Sequence, residues 1–80
     1  MYKIKGKIDT TNASAFEKDL MEKLPTEIDA SELEYITSSG LRALMKLLQT
    51  VGNVTIYNVN PDVYEVFEIT GFDTLLDISK

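Results

Sequence analysis

Tyr2, Ile4 and Ile8 are interleaved with Lys3, Lys5 and Lys7, a period of two that predicts a β-strand with one buried and one wet face. The period then lengthens. After the polar cluster Thr10-Thr11-Asn12, which offers a helix cap, Ala13, Phe16, Leu20 and Leu24 recur at helical spacing until Pro25 ends the pattern. Ile28 and Ala30 carry a short strand over residues 27–31, and a weaker apolar run, Leu33, Tyr35 and Ile36, leads to Thr37-Ser38-Ser39-Gly40. From Gly40 onward Leu41, Leu44, Met45, Leu48 and Val51 line one helical face, with hydroxyl residues just ahead able to cap it and Gly52-Asn53 closing it. Val54, Ile56, Tyr57 and Val59 form a β-rich run. Asn60-Pro61-Asp62 then supplies a cap, a first-turn proline and a first-turn acid for a third helix, with Val63, Val66, Phe67 and Thr70 inward and Gly71 in the left-handed position past its end. Leu75, Leu76 and Ile78 make a last strand. This β-α-β-α-β-α-β order predicts an α/β fold: a four-stranded parallel or mixed sheet with three helices mainly on one face, and an open face carrying the lysine row.

Length and composition narrow the function. The 80 residues allow one domain, spanning 1–80, and the 44% hydrophobic and 26% charged residues place it among folded globular chains. A net charge of −5 repels phosphate-rich surfaces, so nucleic acid is not an expected partner. The start lacks the apolar stretch of a signal peptide, and no run is long enough to span a bilayer, so a cytoplasmic location without membrane association is expected. With no cysteine and no histidine, thiolate nucleophiles, thiolate or imidazole zinc sites and serine-histidine-aspartate triads are excluded. Calcium-loop spacing and a glycine-rich phosphate loop are also missing, so no metal or cofactor is expected. Asp62, Glu65 and Glu68 read as a solvated helix face.

Thr37-Ser38-Ser39-Gly40 sits where a strand hands over to a helix, with its hydroxyls at the positive end of the helix dipole. Two readings stand side by side: a plain cap followed by a close-packing glycine, or a modifiable serine. Asp9 closes the first strand at the sheet edge where α/β domains place their sites, and reads either as a turn acid or as a neighbour of that junction. The lysine row reads as protection of an edge strand or as an anion-binding stripe.

The stretch Asp29 to Leu48, DASELEYITSSGLRALMKLL, resembles the signature of the STAS domain found in bacterial anti-sigma factor antagonists. The resemblance rests on a strand-end Asp29-Ala30-Ser31, the approach Leu33-Glu34-Tyr35-Ile36, the hydroxyl-Ser38-Ser39-Gly40-Leu41 junction and a leucine-rich helix. Gly6-Lys7-Ile8-Asp9 and Val66 to Phe72 are similar to that family's early strand end and late helix-to-turn motif, so the likeness extends over nearly the whole chain. It implies a partner-switching module that is not an enzyme. A cognate anti-sigma factor, a serine kinase of ATPase fold, would phosphorylate Ser38. The unphosphorylated form would bind that kinase, and a metal-dependent serine phosphatase would restore it. Asp9, Thr37, Ser39, Gly40 and Leu41 would surround the phosphosite. Thr37 stands where the family usually has an acid, and the resemblance leads one to expect that the family's preceding N-terminal strand and usual C-terminal helix are missing, as in a minimal version or part of a longer protein.

Two rivals follow. A non-phosphorylated STAS scaffold or regulatory subunit of a transporter or signalling complex fits the missing acid. An acyl-carrier-like protein is also short and acidic, with a serine at a helix start, but it is a helical bundle with an Asp-Ser-Leu attachment site, which this chain lacks. The net charge and the lysine row predict a monomer.

Overall fold

The computed structural model describes residues 1–79. Strand β1 (Tyr2–Ile8) leads through a turn into α1 (Ala13–Lys23), followed by β2 (Glu27–Ile36), α2 (Ser38–Val51), β3 (Thr55–Tyr57), α3 (Pro61–Thr70), the single-turn α4 (Phe72–Leu75) and β4 (Asp77–Ile78). The sheet has four strands in the order β1-β2-β3-β4, and every neighbouring pair is parallel. Sequential strand order joined by crossovers of one hand brings the connecting helices to the same face. Exposure agrees: Ile4 and Ile8 of β1 are buried, while Lys3, Lys5 and Lys7 face solvent on the open side. The order never reverses, so the sheet has no crevice of the kind that holds nucleotides in doubly wound folds.

The predicted architecture therefore holds, with three differences. Leu33 to Ile36 belongs to the same ten-residue strand as Glu27 to Ser31. Between the pairs Tyr2↔Ile28 and Ile8↔Ile36 the register shifts twice, so β2 carries extra residues and its buried positions fall at Ile28, Ala30, Leu33 and Ile36, out of step with a period of two. Asp29-Ala30-Ser31 is thus a mid-strand irregularity, not a strand end. The Asp29 carboxylate braces it by accepting from the Ser31 amide at 2.9 Å and from the Ser31 hydroxyl at 3.1 Å. Secondly, residues 72–75 form a fourth helix of one turn, leaving Leu75 exposed and only Asp77–Ile78 in the last strand. Thirdly, α1 ends one residue before Leu24, which adopts the left-handed conformation (φ 46°) ahead of Pro25 and is exposed, while Thr70 faces solvent and bonds back to the Val66 carbonyl.

The core lies between the sheet's inner face and the helices. Phe67, Leu20, Ile28, Leu44 and Leu47 are completely shielded, each contributing about 1.5–3 kcal/mol by burial. Among the described residues no polar or charged residue is buried with them. At the margin, the Tyr2 hydroxyl donates to Asp19, tying β1 to α1. Burial, the hydrogen bond and the Asp19 charge together drive the phenol's pKa well above its ordinary value. On the open face Lys3 pairs with Glu32 at 2.9 Å, and Asn58 donates to Asp29 at 3.1 Å.

Candidate functional site

The C-terminal ends of β1 and β2 lie side by side: Ile8 is in register with Ile36, and the Thr37 amide donates to the Ile8 carbonyl at 2.9 Å. Both strand-to-helix junctions are thereby brought to one edge of the domain, Asp9 leaving β1 next to Thr37-Ser38 leaving β2. The α2 helix crosses these ends closely because residue 40 has no side chain. A Cβ there would lie 2.6 Å from Ile36 Cγ1 and 2.7 Å from Ile8 Cγ2, closer than side chains pack. Leu41, 4% exposed, inserts beside it. Gly40 and Leu41 therefore place the helix start and are not surface residues.

Thr37 is the N-cap residue of α2 by backbone conformation (φ −96°, ψ 177°), and its carbonyl accepts the Leu41 amide at 3.0 Å. Its hydroxyl does not cap. Thr37 Oγ1 is buried without a hydrogen-bond partner, and among the described residues no side chain accepts from the first amides of α2. The capping expected of these hydroxyls is overturned, because packing of Gly40 and Leu41, not a side-chain bond, fixes the helix start. Ser38, the first residue of α2, is exposed; Ser39 is half-buried.

Asp9 has a different assignment. Its carboxylate accepts from the Thr11 hydroxyl and, at 2.9 Å, from the Thr11 amide, and these bonds hold its pKa below the ordinary carboxylate value. Asn12 closes the turn, accepting from the Asp9 amide at 2.8 Å and donating to the Lys7 carbonyl at 2.7 Å. Asn12 thus braces the turn, and its side chain does not cap α1 as expected. Asp9 is adjacent to the serines through the sheet register but forms no hydrogen bond to them.

Beside the serines, α1 and α2 enclose a groove of about 240 Å³ lined by Thr10, Ala13, Ser14, Glu17, Ser39 and Arg42. Of these only Ser39 stood out in the sequence. Ser14, Glu17 and Arg42 lie on the polar faces of the two helices, where periodicity shows exposure but not which faces adjoin, and Thr10 and Ala13 lie at the entry to α1. Among the described residues no group of three or more potential metal ligands occurs, and no helix is long and apolar enough to cross a membrane.

The sequence profile of the STAS domain matches residues 1–80. The chain belongs to the STAS domain family. It is 29% identical over 86 aligned positions, covering 96% of this chain and 74% of the relative, to a Bordetella bronchiseptica protein named "Putative anti-sigma factor antagonist BtrV". In this STAS domain the Thr37-Ser38-Ser39-Gly40 junction lies at the edge where β1 and β2 end.

Proposed function

We propose that this STAS domain is an anti-sigma factor antagonist that switches partners through phosphorylation of Ser38. In its unmodified state it binds an anti-sigma factor with serine-kinase activity. That kinase transfers the γ-phosphoryl group of ATP to the Ser38 oxygen, ADP leaves, and the complex separates. A serine phosphatase hydrolyses the phosphoserine and returns the domain to its binding state. The observation that carries this reading is an exposed Ser38 whose side chain has no partner among the described residues, at the first position of a helix whose start is fixed by packing behind it. A hydroxyl so placed can be modified without breaking the fold, and a phosphate at a helix N-terminus is electrostatically favoured. Similarity to an anti-sigma factor antagonist supports the class of partner.

Thr37 favours one second reading. Its hydroxyl stands where the family's acid would be and is buried, which suits a STAS scaffold that is not phosphorylated. Incubation with a cognate anti-sigma factor kinase and ATP, followed by mass-spectrometric mapping, separates the two. Phosphate on Ser38, retained in Ser39→Ala and lost in Ser38→Ala, supports the switch. Phosphate surviving in Ser38→Ala, or none in the unaltered chain, refutes it.

A further inference from the structure

Arg42 is the sole arginine of the chain and follows Ser38 by one turn of α2. Residues four apart share a helix face, and long side chains on a helix lean toward its N-terminus, so the guanidinium is within reach of the turn that holds the serines. The groove agrees with this direction, since Arg42 lines it together with Ser39. Arg42 is exposed, and its side chain has no ion pair or hydrogen bond among the described residues. The neighbouring charges are already engaged: Glu17 on α1 pairs with Lys46 at 3.5 Å, and Asp9 is bound by Thr11. One uncompensated cation therefore lies a turn from Ser38, in a chain whose net charge is −5.

We propose that Arg42 is the intramolecular ligand of a phosphate on Ser38, an inference that rests on Ser38 being the modified residue. The guanidinium fork matches phosphate oxygens in bidentate geometry, and an anion four residues N-terminal to a cation is the favourable order on a helix. Phosphorylation lowers the charge of this face by about 1.5 to 2. Pairing also withdraws the guanidinium from any carboxylate a partner presents to the groove, so modification adds an anion and removes a cation from the same surface.

Phosphoserine installed at position 38 by amber suppression tests this without a kinase. Phosphorus NMR titrations compare the unaltered chain with Arg42→Gln and Arg42→Lys at low salt; Arg42 is exposed, so both variants keep the core. The expected second pKa of the phosphate, ordinarily about 6, is lower by about 0.3 unit with arginine than with glutamine, lysine falling between, and about 1 M salt removes the difference. Equal values in all three proteins at low salt overturn the proposal, even if a kinase modifies Ser38. A shift that depends on Arg42 upholds the pairing even if no kinase accepts Ser38, in which case it is the switch reading that fails.

Discussion

The starts of α2 and α3 are built from similar polar residues and are held in opposite ways. At α3, Asn60 accepts from the Val63 amide at 2.9 Å and donates to the Leu33 carbonyl at 2.8 Å, so one side chain caps the helix and ties it to β2. At α2, three consecutive hydroxyl residues make no cap, and Thr37 Oγ1 is buried without a partner. The first start is secured by local hydrogen bonds; the second is secured from behind by Gly40 and Leu41 on the sheet. The difference teaches where this domain can accept chemistry. A start held by its own side-chain bonds loses stability when they are disturbed, whereas one held by packing leaves its outward hydroxyl free to change.

Substitutions can break this contrast. Asn60→Ala removes the cap and leaves the part-buried Leu33 carbonyl without its donor, so a loss of about 2 kcal/mol is expected in urea unfolding. A negligible loss would show that α3 is also held by packing. Gly40→Ala is expected to cost about 1.5 kcal/mol, because overpacking against the stiff Ile8 and Ile36 side chains outweighs the helix propensity gained. Stabilisation by Gly40→Ala would remove the packing account of α2. Thr37→Val keeps the shape and the extended backbone while deleting an unsatisfied buried hydroxyl, so it should raise stability by about 1 kcal/mol. A clear destabilisation would reveal a cap formed in solution. The smallest effect belongs to the neighbouring turn. The Asp9 pKa is depressed in the folded chain by the Thr11 bonds, so its contribution is fully present above the ordinary value of 3.8 and is lost as pH falls through the lower folded value. The advantage of the unaltered chain over Asp9→Asn should therefore shrink on acidification; a constant difference would contradict the assignment.

Much of this was legible in the sequence because it is local. The lysine alternation gave β1, Asn60-Pro61 gave the start of α3, and Gly52 and Gly71 occupy the left-handed positions expected after α2 and α3, at φ 89° and 81°. What escaped depends on contacts between distant segments. The continuity of β2 was hidden because its bulges follow from pairing with β1, which shifts the buried positions away from strict alternation. The missing cap at α2 was hidden because Thr37 carries the right residue type for capping, and only the packed geometry turns its hydroxyl inward. The turn role of Asp9 was one of the two readings the sequence offered, whereas the use of Asn12 to close that turn instead of capping α1 shows only in its bonds to the Asp9 amide and the Lys7 carbonyl. The Ser38 position and its spacing from Arg42 were readable, but the groove that Arg42 lines with Ser39 was not, since that depends on which faces of α1 and α2 adjoin.

The central claim is that phosphate on Ser38 acts at the surface and leaves the fold intact. Its most direct test uses the chain carrying phosphoserine at position 38, with affinity for the unmodified and modified forms measured by calorimetry against a cognate anti-sigma factor kinase, alongside thermal unfolding of each. The account predicts unfolding temperatures that match or rise with phosphate, together with at least ~100-fold weaker binding, about 2.7 kcal/mol, from like charges meeting in the interface. Undiminished binding by the phosphorylated form, or weakened binding accompanied by loss of the fold, would contradict it.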